Sequence, residues 1–184
     1  MEEPNDVLRE EHEAIELLLS ALEGMAGRLQ TSGPYPRKDL EAATTVITEF
    51  GDKCHHAKEE KVLFPALAKA SPKTGAEIAR RLASDHRAFR QIVGTMKGQI
   101  PKAETDAATR ALLSKNLDTY ARLLRAHIAA ENTELMPEVD RAIPAAEREE
   151  IAEAFERIEE EEVGSGVHEK YHQMIHKLAD AYAG

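Results

Sequence analysis

The sequence predicts an all-α protein, an up-down-up-down four-helix bundle followed by two further helices. Apolar residues recur at spacings of three and four along most of the chain, strand-like alternation is nearly absent, and glycine and proline separate the periodic segments. Because there is no tryptophan and aromatic residues make up only 4%, the core must be aliphatic. The length of 184 residues fits one domain, with the bundle over about 5–141 and a C-terminal extension over about 144–182.

Four long periodic segments form the predicted bundle, and their connections are short, which favours antiparallel neighbours. Thr74 and Glu77 have the spacing of a capping box at the start of the third segment, and Pro101 is expected to end it. Two shorter segments follow, separated by Gly164 and Gly166. The six predicted helices cover about 5–30, 38–69, 75–100, 106–141, 144–162 and 167–182.

Ionisable residues interrupt the apolar stripe of every long segment. A lone histidine on an apolar face is usually an ordinary core residue, but here all four consecutive helices carry one, and two of them add a glutamate. Such side chains are rarely buried unless they are paired or bind a metal. The stripes are Leu8, His12, Ile15, Leu19, Leu22, Ala26 and Leu29; Ile47, Gly51, His55, Glu59, Val62 and Ala66; Ala79, Leu82, His86, Phe89, Val93, Met96 and Ile100; and Leu113, Leu117, Tyr120, Leu124, His127, Glu131 and Leu135.

An internal repeat fixes which residues of the second segment face inward. Residues 55–65 and 127–137 both read His-x3-Glu-x3-Leu-x-Pro, and the residues around His12 resemble those around His86. In the second copy, His56 and Glu60 correspond to an isoleucine and an asparagine, whereas His55 and Glu59 correspond to a second histidine and glutamate. We therefore interpret His55 and Glu59 as ligands, and His56 and Glu60 as groups around the site or at the surface.

The spacing of these residues favours a centre of two metal ions. Residues four apart on a helix lie one above the other, so a histidine and a glutamate can share one ion or bridge two. Six ligands exceed the needs of one tetrahedral zinc, and imidazole with carboxylate but no thiolate suits iron, with manganese or zinc less favoured. A ferritin-like centre needs inward Glu-x-x-His pairs, and the chain has only one, near its C-terminus. The predicted ligands are His12, His55, Glu59, His86, His127 and Glu131.

The series His, HHxxEExxLFP, His and HxxxE resembles the hemerythrin-like (HHE cation-binding) family over about residues 6–140. The resemblance implies an antiparallel four-helix bundle with an oxo- or hydroxo-bridged di-iron centre that binds O2, NO or peroxide. By motif position, the family's ligands fall on the same six residues. Oxygen carriers place a second histidine four residues after the first on the third helix, where this chain has Arg90. The pattern is closer to the bacterial iron–sulfur-repair and stress-related members.

Three further residues are candidates near the site, each with a more ordinary alternative. His168 lies on the apolar stripe of the last helix and could be a seventh ligand or line the site, or it could be a capping or surface residue. Tyr120 could donate a hydrogen bond near the metals, or be an ordinary core tyrosine. The single cysteine, Cys54, could be redox-reactive, but it is expected to be a small buried apolar side chain.

Charge and composition exclude several functions. A net charge of −10 and the absence of a basic patch argue against nucleic acid and anionic membranes as partners. The lack of an 18-residue apolar run argues against a membrane span. The polar N-terminus, which does not resemble a signal peptide, and the single cysteine favour a cytoplasmic protein.

The function that the sequence favours is binding or turnover of a small oxidant, O2, NO or hydrogen peroxide, at a carboxylate-bridged di-iron centre. Whether this makes the protein an enzyme that consumes peroxide or NO stays open. The alternative is an iron- or oxygen-sensing or iron-handling module without turnover, read by a protein partner that the sequence does not identify. A metal-free structural bundle is the third possibility.

Overall fold

The computed structural model describes residues 2–164 and 166–183, which contain no β-strand. Four π-helical segments separate or extend the α-helices: π1 (Ile47–His56), π2 (Glu59–Leu63), π3 (Glu131–Leu135) and π4 (Glu159–Val163). The α-helices are α1 (Pro4–Leu29), α2 (Arg37–Val46), α3 (Phe64–Ala70), α4 (Thr74–Ala103), α5 (Ala107–Ala130), α6 (Met136–Ala142), α7 (Ala145–Ile158) and α8 (Val167–Tyr182).

These elements join into four long rods and a C-terminal pair. Rod 1 is α1, rod 2 runs over 37–70, rod 3 is α4, and rod 4 runs over 107–142. Rod 1 packs against α5 and α8, and α4 packs against α5 and α3. The predicted all-α bundle with two additional C-terminal helices is confirmed.

The core consists of two apolar clusters with the ionisable residues between them. In rod 1, His12 lies between Leu8 of one cluster and Ile15 of the other. In rod 3, His86 lies in the same way between Leu82 and Phe89. The bundle therefore encloses a polar layer between two apolar ones.

Two of the π-helical turns reproduce the internal repeat in the backbone. The carbonyl of Glu59 accepts from the N–H five residues later, at Phe64, and the carbonyl of Glu131 accepts in the same way from Met136. The next residue in each copy is a proline, Pro65 or Pro137, which has no N–H to donate. Each π turn adds one residue to its rod at a predicted ligand. Single π turns of this kind are common at functional sites.

The extra residue of π2 corrects the predicted stripe of rod 2. Val62 and Ala66, expected in the core, are only half-buried, whereas Leu63 and Leu67 are fully buried. A strict spacing of three and four assumes α-helical geometry throughout, and the wider π turn rotates all later residues.

Both predicted ends of the third helix are wrong in detail. Thr74 forms no capping box; instead the hydroxyl of Ser71 accepts a hydrogen bond from the N–H of Gly75. Pro101 lies inside α4, which continues to Ala103. Because Pro101 lies in the last turns of the helix, it removes only one hydrogen bond there, and the helix continues past it. At the end of α4, the guanidinium of Arg110 donates to the carbonyls of Ala103 and Glu104.

The C-terminal extension packs along rod 1. Its buried residues Ile175 and Leu178 belong to the same apolar cluster as the inner face of α1. Gly24 allows this approach, because a Cβ there would lie 2.7 Å from the carbonyl oxygen of Tyr182. Gly164 and Gly166, with φ of 94° and 77°, take the positive values that glycine tolerates best; Ser165 between them lies outside the described residues. Among the described helices, none combines the length and apolar character that a bilayer span requires.

Candidate metal centre

All six predicted ligands are buried and converge in the polar layer; none is more than 3% exposed. Nε2 of His127 is 2.7 Å from Oε1 of Glu131, and Nε2 of His12 is 3.0 Å from its Oε2. Oε2 of Glu59 lies 3.4 Å from Nε2 of His86 and 3.8 Å from Nε2 of His55. Each carboxylate is therefore close to imidazoles from its own rod and from another rod.

The candidate ligand atoms form two adjacent groups. In one group, the atoms of His12, His55 and Glu131 lie within 4.8 Å of one another. In the other, the atoms of Glu59, His86 and His127 do so together with His56. Nε2 of His86 and Nε2 of His127 are 3.0 Å apart. With one glutamate in each group, the arrangement fits two neighbouring cations.

The buried glutamates make no hydrogen bond with the described part of the chain, and this fits a site built for cations. All four carboxylate oxygens of Glu59 and Glu131, and Nε2 of His12, are buried without a well-formed hydrogen bond, although imidazole nitrogens lie 2.7 Å from Glu131 and 3.4 Å from Glu59. Burial, together with repulsion from Glu131, raises the pKa of Glu59 well above its usual value. Unpaired buried charge costs several kcal/mol per group, and bound cations would remove that cost.

His56 is buried. Of the two positions that the repeat left open for it, around the site or at the surface, it takes the first. Its side chain is 4% exposed, and its ring stacks on that of His86 with centroids 3.8 Å apart. It ends π1, whose wide turn lets consecutive residues, His55 and His56, both point inward. Its counterpart in the repeat, Ile128, is apolar and is also buried. An apolar residue at the equivalent position was the sequence signal that His56 faces inward. Glu60 lies beside the site as expected, with Oε1 2.8 Å from Nδ1 of His86.

A second layer of side chains holds the outer nitrogen of each predicted histidine ligand. Such contacts fix the ring and direct Nε2 to the metal. Two of the four partners, Glu11 and Asp85, occupy equivalent positions of the repeat, and so do the other two, Glu60 and Asn132. The Nδ1 distances are 3.2 Å from His12 to Asn132, 2.9 Å from His55 to Glu11, 2.8 Å from His86 to Glu60 and 3.3 Å from His127 to Asp85.

Glu11 and Lys58 form a buried ion pair that the sequence reasoning missed. Glu11 is 2% exposed and Lys58 is fully buried, and their side chains are 2.6 Å apart. Lys58 also contacts Glu159 of the extension. Both residues lie beside a predicted ligand stripe rather than in it, where charged residues are normally solvated. The equivalence of Glu11 and Asp85 in the repeat was the signal that could have found the glutamate.

The remaining candidates surround the site at different depths. His168 belongs to neither ligand group; its Nε2 is 3.7 Å from the carboxylate of Glu11, which lies between it and His55. Tyr120 is buried, with its ring against Phe89. Cys54 is fully buried as expected, and burial together with the nearby Glu11 raises its thiol pKa to about 12, so it remains a thiol.

The model of one protein family, the hemerythrin HHE cation binding domain, matches residues 3–139. The chain belongs to the hemerythrin HHE cation-binding family. Uncharacterized proteins of Mycobacterium bovis and of two Mycobacterium tuberculosis strains are 28% identical to it over 178 residues, which cover 96% of this chain and 68% of theirs. No solved structure gives a significant match.

Family membership makes this a cation-binding protein of the hemerythrin type, and the buried histidine and glutamate groups can hold the cation. The family match ends before α7, at residue 139. The match to the mycobacterial proteins leaves out only a few residues of the chain, so it includes most of the extension.

Proposed function

We propose that this hemerythrin-like protein holds two iron ions and binds or reacts with a small oxidant, O2, NO or hydrogen peroxide. The observation that carries the proposal is the pair of adjacent ligand groups around Glu59 and Glu131, whose buried oxygens lack hydrogen bonds. Imidazole and carboxylate ligands without a thiolate favour iron over zinc. Cys54, the one thiol, has no place in either inner group.

The chain's own residues position the iron and exclude water from it. Glu59 and Glu131, together with the histidines of the four rods, would hold the ions. Iron held there would supply electrons and a position at which a small oxidant could bind. The two apolar clusters above and below the layer would limit the access of water to the ions, which favours small molecules with little need for solvation.

A cavity between rods 2 and 3 supports entry of such a molecule. It has a volume of about 180 Å³, far more than one water molecule needs, and His56 forms part of its inner wall. A much smaller apolar cavity of about 10 Å³ adjoins it and shares three of its lining residues. The apolar lining of the larger cavity consists of Ile47, Phe89, Val93, Gly94 and Tyr120.

Consumption of the oxidant by iron-loaded protein tests the proposal. We expect stopped-flow measurements with NO and with hydrogen peroxide to show rapid consumption of at least one by the wild-type protein. Glu131→Ala should lower that rate at least tenfold, because it removes a proposed ligand of the iron. Glu134→Ala, at an exposed position of the same π turn, is the matched control and should leave the rate unchanged. Equal rates in all three proteins would contradict the proposal.

A second candidate function is iron sensing or iron handling without turnover. The contacts of His168 and Glu159 with the Glu11–Lys58 pair favour it, since they connect the site to the extension. In this case iron loading would change hydrogen exchange in α8, where a protein partner could read the change, while no oxidant is consumed. Iron-dependent exchange in α8 without consumption would support sensing; consumption without any change in α8 would exclude it.

A further inference from the structure

We infer that His56 is a seventh protein ligand, the third imidazole of one metal ion, and that Arg90 positions it. The inference rests on the proposed iron centre and makes the two ions unequal. One ion would have the imidazoles of His56, His86 and His127, and the other those of His12 and His55. The nearest alternative is a buried histidine that only packs.

The position of His56 favours ligation. Its ligand atom lies within 4.8 Å of those of Glu59, His86 and His127, as close as the predicted ligands are to one another. The rings of His56 and His86 are nearly parallel, with an interplanar angle of 15°. Because the lone pair of each ring lies in its own plane, one of these stacked rings would tilt when both nitrogens bind the same ion.

The outer nitrogen of His56 is held in the same manner as those of the predicted ligands. Its Nδ1 lies 3.3 Å from Oδ1 of Asp52, one turn earlier in π1. A carboxylate on Nδ1 leaves Nε2 for a metal and strengthens it as a ligand. All five buried histidines of the polar layer therefore share one pattern, and a histidine that only packs does not require it.

Arg90 contacts both carboxylates that hold the two stacked rings. Its guanidinium lies 2.7 Å from Asp52, which holds His56, and 3.0 Å from Glu60, which holds His86. One planar cation thus fixes two carboxylates and, through them, two imidazoles.

The internal repeat provides no counterpart for this arrangement. Asp52 and His56 correspond to Leu124 and Ile128 in the second copy, so the other half of the centre lacks an equivalent imidazole. The remaining ligands and their supports occur in both halves. The asymmetry of the proposed centre therefore resides in the His56–Asp52–Arg90 set.

Mössbauer spectroscopy of ⁵⁷Fe-loaded protein tests the inference. His56→Phe retains a ring to stack on His86 but removes the ligand nitrogen. We expect the wild type to give two unequal quadrupole doublets and His56→Phe to change one of them, with iron binding at that ion weakened about tenfold or more. Arg90→Ala should change the same doublet, and Arg90→Lys should not restore it because lysine cannot bind both carboxylates. His176→Phe, at an exposed position of α8, should change neither.

Two unchanged doublets in His56→Phe, with two ions still bound, would overturn the inference and leave the proposed iron centre intact. Wild-type protein that takes up no iron would overturn both. If His56→Phe does not fold, anomalous diffraction from iron-loaded wild type decides. Nε2 of His56 at a bonding distance of about 2.1 Å supports ligation, and a clearly longer distance contradicts it.

Discussion

Lys58 is fully buried beside the polar layer and has two carboxylate partners, Glu11 and Glu159. A buried lysine is tolerated only when its charge is paired, and here the pairing raises its pKa although burial lowers it. Through Glu11 the pair also supports His55. A charge outside the ligand set thus helps to determine the orientation of a ligand.

Lys58→Met should destabilise the protein by about 3–5 kcal/mol, because it leaves the carboxylate of Glu11 buried without its cation. Urea unfolding measures the change. Lys53→Met is the matched control: this exposed lysine pairs with Glu49 at the surface, and its loss should cost about 0.5 kcal/mol or less. Similar effects of the two substitutions would contradict the role given to the buried pair.

Most of the individual residues of the candidate site could be predicted from the sequence. The six predicted ligands come together, because helical periodicity and the internal repeat constrain the same positions. Glu11, Lys58 and the inward direction of His56 could not be predicted from periodicity. Their burial depends on the π-helical backbone and on partners distant in sequence, such as Glu159.

Rod 2 shows which property of a helix could not be predicted from the sequence. Its ends at 37 and 70 lie within a residue of the prediction, yet its stripe slips at Glu59, where π2 begins. Periodicity predicts a helix without predicting how many residues each turn contains. Where a carboxylate must point into the polar layer, tertiary contacts determine the number of residues in the turn. The proline that follows has no N–H to donate, and this favours the wider π turn.

Gly94 permits a direct test of the cavity between rods 2 and 3. A Cβ at this exposed position meets no atom within 4 Å, so the side chain of Gly94→Leu can occupy the cavity. We expect NO binding to iron-loaded protein, followed by stopped flow, to slow about tenfold while iron content stays the same.

Gly98→Leu is the control for helix stabilisation. Gly98 lies one turn later in α4, is equally open, and does not line the cavity. Both substitutions should stabilise α4 by up to about 1 kcal/mol, since glycine is a poor helix former. If Gly98→Leu slows NO binding as much as Gly94→Leu, the cavity is not the entrance.

At the scale of the whole molecule, the polar layer divides the apolar core, and the protein should be less stable without metal. In metal-free protein the pKa of Glu59 is raised, so its proton binds more tightly in the folded chain than in the unfolded chain. This contribution to stability is present in acid and is lost as the pH rises above the ordinary glutamate value of 4.5. Bound cations would replace the proton.

Chelation should therefore lower the unfolding free energy, by about 4 kcal/mol if free iron was a thousandfold above its dissociation constant. In chelated protein, Glu59→Gln should be more stable than wild type near neutral pH, and the difference should shrink towards acid. Thermal unfolding at several pH values measures both effects. A difference that grows towards acid would contradict the assignment of a buried, unpaired Glu59.

The count of metal ions in the native protein tests the central claim most directly. Protein produced with iron in the medium, analysed by mass spectrometry for all transition metals and by anomalous diffraction, should contain two iron ions per chain between Glu59 and Glu131. Native protein without metal, with these two carboxylates satisfied by protein groups or by water, would contradict the account.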